Sequence, residues 1–255
     1  MILKESQLLT LKGVSKNFGG LRAVNDLSLD VPKGYIYGLI GPNGAGKTTV
    51  FNLITGVYPC NSGSIFLENV AVTDLKSFRI ARLGISRTFQ TIRLFPSMTT
   101  WENVLIGQNT LSKSGIRGIL PIRRSQEVEL RRQAEEALKV LGLWEMKSRK
   151  AVTLPYGSQR KVEIARAIAA RPKLLLLDEP TAGMNIRETK ELLGVLSKIH
   201  DLGITILVIE HDMRVVMGIC DHIFVLNFGQ KIAEGNPTEI RKNEEVLEAY
   251  LGKEE

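Results

Sequence analysis

The stretch Gly41-Pro42-Asn43-Gly44-Ala45-Gly46-Lys47-Thr48 constrains this chain more than any other. It lies between an apolar run, Tyr35 to Ile40, and an amphipathic one, Thr49 to Gly56. The pattern is G-x-x-x-x-G-K-[ST] set between a strand and a helix, the context that a phosphate-binding loop requires. Glycines let the backbone curl until successive N–H groups face one polyphosphate, and the helix that follows adds the positive end of its dipole. Lys47 would then reach the β- and γ-phosphates, and Thr48 would hold Mg²⁺. An ordinary glycine-rich turn explains neither the Lys-Thr pair nor the flanking periodicity.

The 255 residues are enough for a sizeable core, and 44% hydrophobic with 24% charged residues is ordinary for a soluble globular chain. The sequence has no apolar run of membrane-spanning length, and Met-Ile-Leu-Lys-Glu-Ser lacks the pattern of a signal peptide, so a cytosolic protein is expected. Cys60 and Cys220 lack metal-ligand spacing and read as idle thiols. The formal charge of +7 comes largely from bases interleaved with acids, as in Arg131-Arg132-Gln133-Ala134-Glu135-Glu136, which reads as a solvated helix face. Lys113 to Arg124 carries bases and no acid, and is the one candidate for a patch facing a partner or phospholipid.

Alternation predicts strands over 7–14 and 21–31, joined through Gly19-Gly20, with Lys16-Asn17-Phe18 between them. The Phe18 ring, upstream of the phosphate loop, either packs or stacks on a base. Further strands are expected at 34–40, 63–67, 85–90, 173–178, 204–209 and 223–226. Helices are expected at 46–55, 74–83, 100–107, 125–141, 158–170, 187–202 and 244–250. Strands alternating with helices predict a mainly parallel sheet covered on both faces. The helical run from 91 to 168 reads as an insertion into that α/β core.

Two acids end the leucine strand Leu174-Leu175-Leu176-Leu177, at the edge where parallel sheets present ligands. Asp178 there would hold Mg²⁺. Glu179 faces elsewhere and is free to orient or deprotonate a water, which would make the chain a hydrolase. His211, after the strand ending at Glu210, is placed to hydrogen-bond the γ-phosphate or that water.

In ordered motifs over essentially the whole chain, the sequence resembles the ATP-binding cassette (ABC) ATPases. They are the phosphate loop, Gln90, Leu154-Pro155-Tyr156-Gly157-Ser158-Gln159 before a helix, Asp178-Glu179 and His211. The resemblance implies one ABC ATPase domain with a RecA-like phosphate-loop core and an antiparallel N-terminal β subdomain (1–90 and 169–255). Residues 91–168 would be its helical subdomain. It implies ATP and Mg²⁺ as cofactors, with ATP held by Phe18, Gly41 to Thr48, Thr49 and Gln90, and the metal by Thr48, Gln90 and Asp178. Glu179, His211 and Lys47 would be catalytic. Two cassettes would sandwich two ATP molecules, each touched in trans by Tyr156, Gly157, Ser158 and Gln159 of the other subunit. Gln90 would sense nucleotide and contact a membrane partner, and Ala182-Gly183-Met184-Asn185 would join the subunits.

Phe18-Gly19-Gly20-Leu21-Arg22-Ala23-Val24, Tyr156-Gly157, Ile209-Glu210-His211-Asp212-Met213 and Ala249-Tyr250-Leu251-Gly252 are similar to one branch. That branch comprises ATP-binding subunits of branched-chain amino-acid importers, whose sister branches serve urea or short amides and lipopolysaccharide export. It implies an identical or paralogous second cassette, two transmembrane permease subunits and, indirectly, an extracytoplasmic solute-binding protein. The cassette would then be peripheral on the cytoplasmic face of the membrane, with no nucleic-acid partner. A soluble cassette of translation or DNA repair is the rival, but those resemble tandem cassettes or carry long coiled coils. One departure stands out: the family's Leu-Ser-Gly-Gly-Gln has Pro155 for serine, Tyr156 for the first glycine and Ser158 for glutamine.

Overall fold

The computed structural model describes residues 6–110 and 124–251. The basic stretch Lys113 to Arg124 lies outside these, apart from Arg124, where a helix begins.

The elements in chain order are β1 (Gln7–Phe18), β2 (Leu21–Pro32), β3 (Ile36–Ile40), α1 (Lys47–Ile54), β4 (Ser62–Leu67), β5 (Val70–Ala71), α2 (Ser77–Leu83) and β6 (Ile85–Arg87). Then come α3 (Thr100–Ile106), α4 (Arg124–Val140), α5 (Tyr156–Ile168), β7 (Leu174–Asp178), α6 (Ile186–Asp201), β8 (Thr205–Ile209) and α7 (Met213–Ile219). The chain closes with β9 (His222–Asn227), β10 (Gln230–Gly235), α8 (Pro237–Arg241) and α9 (Glu244–Leu251).

Two sheets result. One is antiparallel, in the order β2-β1-β4-β5, and the other runs β10-β9-β3-β8-β7-β6, parallel except for its β9/β10 hairpin. In the parallel sheet β3, β7 and β8 are buried at every position, and their alternating side chains enter two separate cores. Leu175, Leu177, Ile206, Val208, Ile223 and Val225 pack on the side that holds α3 to α6. Leu174, Leu176, Leu207, Ile209, Phe224 and Leu226 face α1 and the antiparallel sheet. A run of leucines without polar alternation is what a strand covered on both faces needs. Truncating one of them, such as Leu175, to alanine would cost about 2–5 kcal/mol.

Several boundaries differ from those expected. β1 continues past Val14 through Phe18, because register shifts on either side of Val14 break its period of two and hide the continuation. α2 starts at Ser77 and not at Asp74, and α5 starts at Tyr156 and not at Ser158. α7 and β10 were not anticipated. The first is short and almost wholly apolar. The second is a polar edge strand paired only with β9, so neither carries a clear period.

Candidate functional site

β3 delivers the chain into the phosphate loop and α1 carries it away. Gly41, Gly44 and Gly46 have φ of 147°, 82° and 99°, and at two of them the neighbours also forbid a side chain. A Cβ on Gly41 would lie 2.1 Å from the Leu226 carbonyl oxygen, and one on Gly46 would lie 2.4 Å from that of Ala23. The loop is thus pressed between β9 and β2. Lys47 is buried at the start of α1, its Nζ donating to the Gly41 and Pro42 carbonyls at 2.6 and 2.9 Å. Burial pushes the Lys47 amine below its ordinary pKa, and the nearby carboxylates of Glu179 and Asp178 pull it back up. Thr48 is exposed at the loop and Thr49 half-buried behind it.

The ends of β7 and β8 supply the acids and the histidine. Asp178 is buried, and its Oδ2 accepts from Arg87 Nη2 at 2.8 Å. Burial raises the Asp178 carboxyl and Arg87 opposes that rise. Glu179 takes the left-handed backbone conformation, φ 46°, which a non-glycine residue rarely adopts. Its side chain reaches Gln90, whose Nε2 donates to Glu179 Oε2 at 2.7 Å. The same oxygen lies 3.8 Å from His211 Nδ1. Gln90, Glu179 and His211, drawn from three separate chain segments, therefore meet at one point.

Sequence reasoning missed the residues that hold this group in place. Glu210 is fully buried, and its Oε1 accepts from both the backbone N–H and the hydroxyl of Thr181, at 3.0 and 2.7 Å. It thereby ties the turn after Glu179 to the strand that presents His211. Arg160, fully buried on α5, pairs with Glu163 at 2.8 Å and donates to the carbonyls of Phe89 and Gln90, each at 2.6 Å. Arg87 ends a three-residue strand, and Arg160 sits in the polar run Ser158-Gln159-Arg160-Lys161 of a 13-residue helix, so neither carries a local mark of its inward position.

Other candidates lie apart from this point. Phe18 is half-exposed at the end of β1, edge-on to Tyr58 with centroids 5.2 Å apart and with Lys16 Nζ 5.2 Å from its ring. Pro155 is the N-cap of α5, so Tyr156, Gly157, Ser158 and Gln159 form its first turn. Gln159 Nε2 is spent on the Val152 and Leu154 carbonyls, and a Cβ on Gly183 would touch the Tyr156 ring at 3.3 Å. No described hydrogen bond or ion pair links residues 155–159 to the phosphate loop. Within one chain this turn faces the 183–188 segment.

The donor set suits Mg²⁺. The Thr48 hydroxyl, the Gln90 amide oxygen and the Asp178 carboxylate are hard oxygen ligands, and Mg²⁺ takes one or two carboxylates and completes its shell with water and phosphate oxygens. No group of three or more His, Cys, Asp or Glu is gathered for a metal among the described residues.

A family model described as "ABC transporter" matches residues 24–182. The chain belongs to the ABC transporter ATP-binding cassettes. A second model, "Branched-chain amino acid ATP-binding cassette transporter", matches residues 230–255. The cassette is 47% identical over 250 residues to the high-affinity branched-chain amino acid transport ATP-binding protein LivG of Escherichia coli, covering 96% of this chain and 98% of LivG. It is 45% identical to BraF of Pseudomonas aeruginosa, of the same description, at 96% and 98% coverage. To the lipopolysaccharide export system ATP-binding protein LptB of Escherichia coli it is 34% identical, at the same coverage. Among solved structures, the ADP conformation of MJ1267, an ATP-binding cassette of an ABC transporter, superposes with a TM-score of 0.85 at 33% identity, covering 97% of this chain and 99% of that one. The cassette is thus a nucleotide-binding ATPase with the expected α/β fold.

Proposed function

We propose that this cassette hydrolyses ATP to drive uptake of branched-chain amino acids through separate membrane subunits. The near-full-length identity to LivG carries the substrate class, and the juncture of Gln90, Glu179 and His211 beside Lys47 carries the chemistry. Phe18 would stack on the adenine, and residues 41–49 would wrap the phosphates. Thr48, Gln90 and Asp178 would hold Mg²⁺, which when bound neutralises charge on the phosphate oxygens. Lys47 neutralises the β- and γ-phosphates from the other side. Glu179 accepts the proton of the attacking water, and His211 holds that water or the γ-phosphate in line. In the present arrangement Glu179 is engaged by Gln90. A membrane partner that draws Gln90 away would therefore free the base, which links hydrolysis to transport.

The second nucleotide contact would come from Tyr156, Gly157, Ser158 and Gln159 of a second cassette, identical or paralogous. Exposed Tyr156, which lies against Gly183, supports such a contact from this turn, although Gly157 is buried beside Glu188 in the single chain. The remaining partners would be two permease subunits and an extracytoplasmic binding protein, with the cassette on the cytoplasmic face of the membrane. No described helix is long and apolar enough to cross one. Residues 91–168 would act as the helical subdomain on a core of 1–90 and 169–255.

The test is ATP-driven leucine uptake in vesicles reconstituted from the cassette with its membrane subunits and binding protein. Uptake that depends on Lys47 and is outcompeted by isoleucine and valine is expected. Vesicles that instead move urea, short amides or lipopolysaccharide would reassign the substrate and leave the ATPase reading intact.

A further inference from the structure

Arg87 serves no role in the mechanism above, yet it touches the helix of the phosphate loop, the end of β7 and the segment that leads to Gln90. It ends β6, where it pairs in parallel register with Leu176 of β7, and its guanidinium is almost wholly buried. One arm, Nη2, donates to Asp178 Oδ2 at 2.8 Å. The other, Nη1, donates to Asn52 Oδ1 at 2.7 Å and lies 3.4 Å from Thr55 Oγ1. Asn52 belongs to α1, the helix whose first residues are Lys47 and Thr48, and Thr55 caps its end. The rings of Phe51 and Phe89 lie 5.4 and 5.1 Å from the guanidinium carbon, so the group is packed as well as hydrogen-bonded. Its Nε is buried without a protein hydrogen-bond partner among the described residues.

We propose that Arg87 is a positioning residue for the Mg²⁺ site, fixing the Asp178 carboxylate against the helix that carries Thr48. The guanidinium is planar and its two arms are rigidly spaced, so it sets the separation between α1 and the end of β7 as a strut does. It occupies Oδ2 of Asp178 and thereby fixes the rotation of the carboxylate, leaving Oδ1 as the oxygen that Arg87 does not engage. Arg87 is also three residues before Gln90 on the same short segment, so the strut references Gln90, Thr48 and Asp178 to one another. The proposal rests on the reading of Asp178 as a metal ligand and deepens it. Partners that orient a ligating carboxylate typically change metal affinity about 10- to 100-fold when removed.

The experiment measures binding and not turnover. ADP is titrated calorimetrically into the full-length cassette with Mg²⁺ and with EDTA, and Mn²⁺ bound in the presence of ADP is counted by electron paramagnetic resonance. For Arg87→Met, ADP affinity in EDTA should be that of the wild type, while the gain in affinity conferred by the metal should fall about 10-fold or more. Arg87→Lys keeps the charge but cannot span both partners, and should recover only part of that gain. Asn52→Ala, which cuts one arm and leaves the ion pair, should lower the gain several-fold even if Arg87→Met does not fold. Asp178→Asn is the control for the underlying reading. If it keeps the full metal gain, Asp178 is no ligand and the site itself is misread. If Asp178→Asn loses the gain while Arg87→Met and Asn52→Ala retain it, Arg87 is no positioning residue. Full recovery in Arg87→Lys would leave only its charge and overturn the strut. An equal loss in EDTA and in Mg²⁺ would make Arg87 a packing residue.

Discussion

Phe18→Ala separates the adenine from the phosphates. The ring is 41% exposed, makes one edge-on contact with Tyr58 and receives Lys16 over its face. Losing the edge-on pair costs about 0.5–1.5 kcal/mol of stability beyond area burial, and losing the exposed cation–π contact costs about 0.5–1 kcal/mol. The fold survives either. A base–aromatic stack is worth about 1–3 kcal/mol, so ATP affinity should fall between about 5- and 150-fold. Calorimetric titration with ATP and, separately, with inorganic tripolyphosphate makes the prediction discriminating. Tripolyphosphate offers the phosphate loop everything it needs and offers Phe18 nothing, so its affinity should not change. Phe18→Trp should hold ATP at least as tightly as the natural protein. An unchanged ATP affinity, or an equal loss for both ligands, would return Phe18 to a packing role with Tyr58.

Three further outcomes are expected. Glu179→Gln should keep ATP binding and lose hydrolysis by at least the ~100-fold typical of a removed general base, measured as phosphate release; turnover near the natural rate would take Glu179 out of its role. In that Glu179→Gln background, Pro155→Ser should tighten ATP-dependent dimerisation, read by sedimentation at several concentrations, since a hydroxyl adds a hydrogen bond to a charged group worth about 1.5–3 kcal/mol at each site. An unchanged or looser constant would mean that position 155 is not a lost phosphate contact. Arg160→Met should destabilise the fold by about 3–5 kcal/mol in denaturant titrations, because it takes the nearer cation from the buried Glu163 and leaves Arg166, 3.7 Å away, as its ion-pair partner. Burial already pushes the Glu163 carboxyl above 4.5, with Arg160 opposing the rise. Without Arg160 the native state holds a proton that the unfolded chain releases, so stability falls as pH rises past about 4.5. The deficit should be smaller at pH 5 than at pH 8, and one that does not vary with pH would exonerate the charge.

What could be read in advance was whatever leaves a local pattern. The phosphate loop announces itself by glycine spacing, and the leucines of β7 by an unbroken apolar run ending in two acids. The residues that hold the site together left no such mark. Arg87 and Asp178 are paired across 91 positions and Thr181 and Glu210 across 29, and no period or spacing encodes such a pairing. The first turn of α5 was misplaced because Pro155 and Gly157 read as loop. Proline in fact suits an N-cap that must supply no N–H, and Gly157 is small because Glu188 approaches within 3.0 Å of where its Cβ would be.

The clasp formed by Arg160 bears on how such a chain can be lengthened, shortened or recut. Its guanidinium gathers the carbonyls of Phe89 and Gln90, where the polypeptide leaves the central sheet, from a position on the helix by which it returns, 70 residues later. The chain between, α3 and α4 included, is an excursion whose ends are already closed. The entropy of closing a loop grows only with the logarithm of its length, so doubling the excursion would cost about 0.6 kcal/mol. Changes of length between Gln90 and Arg160 are therefore close to free in closure entropy as far as the phosphate chemistry is concerned. Length variation among related cassettes should collect in that interval, and a foreign segment grafted there should leave ATP turnover untouched while altering whatever the cassette docks against.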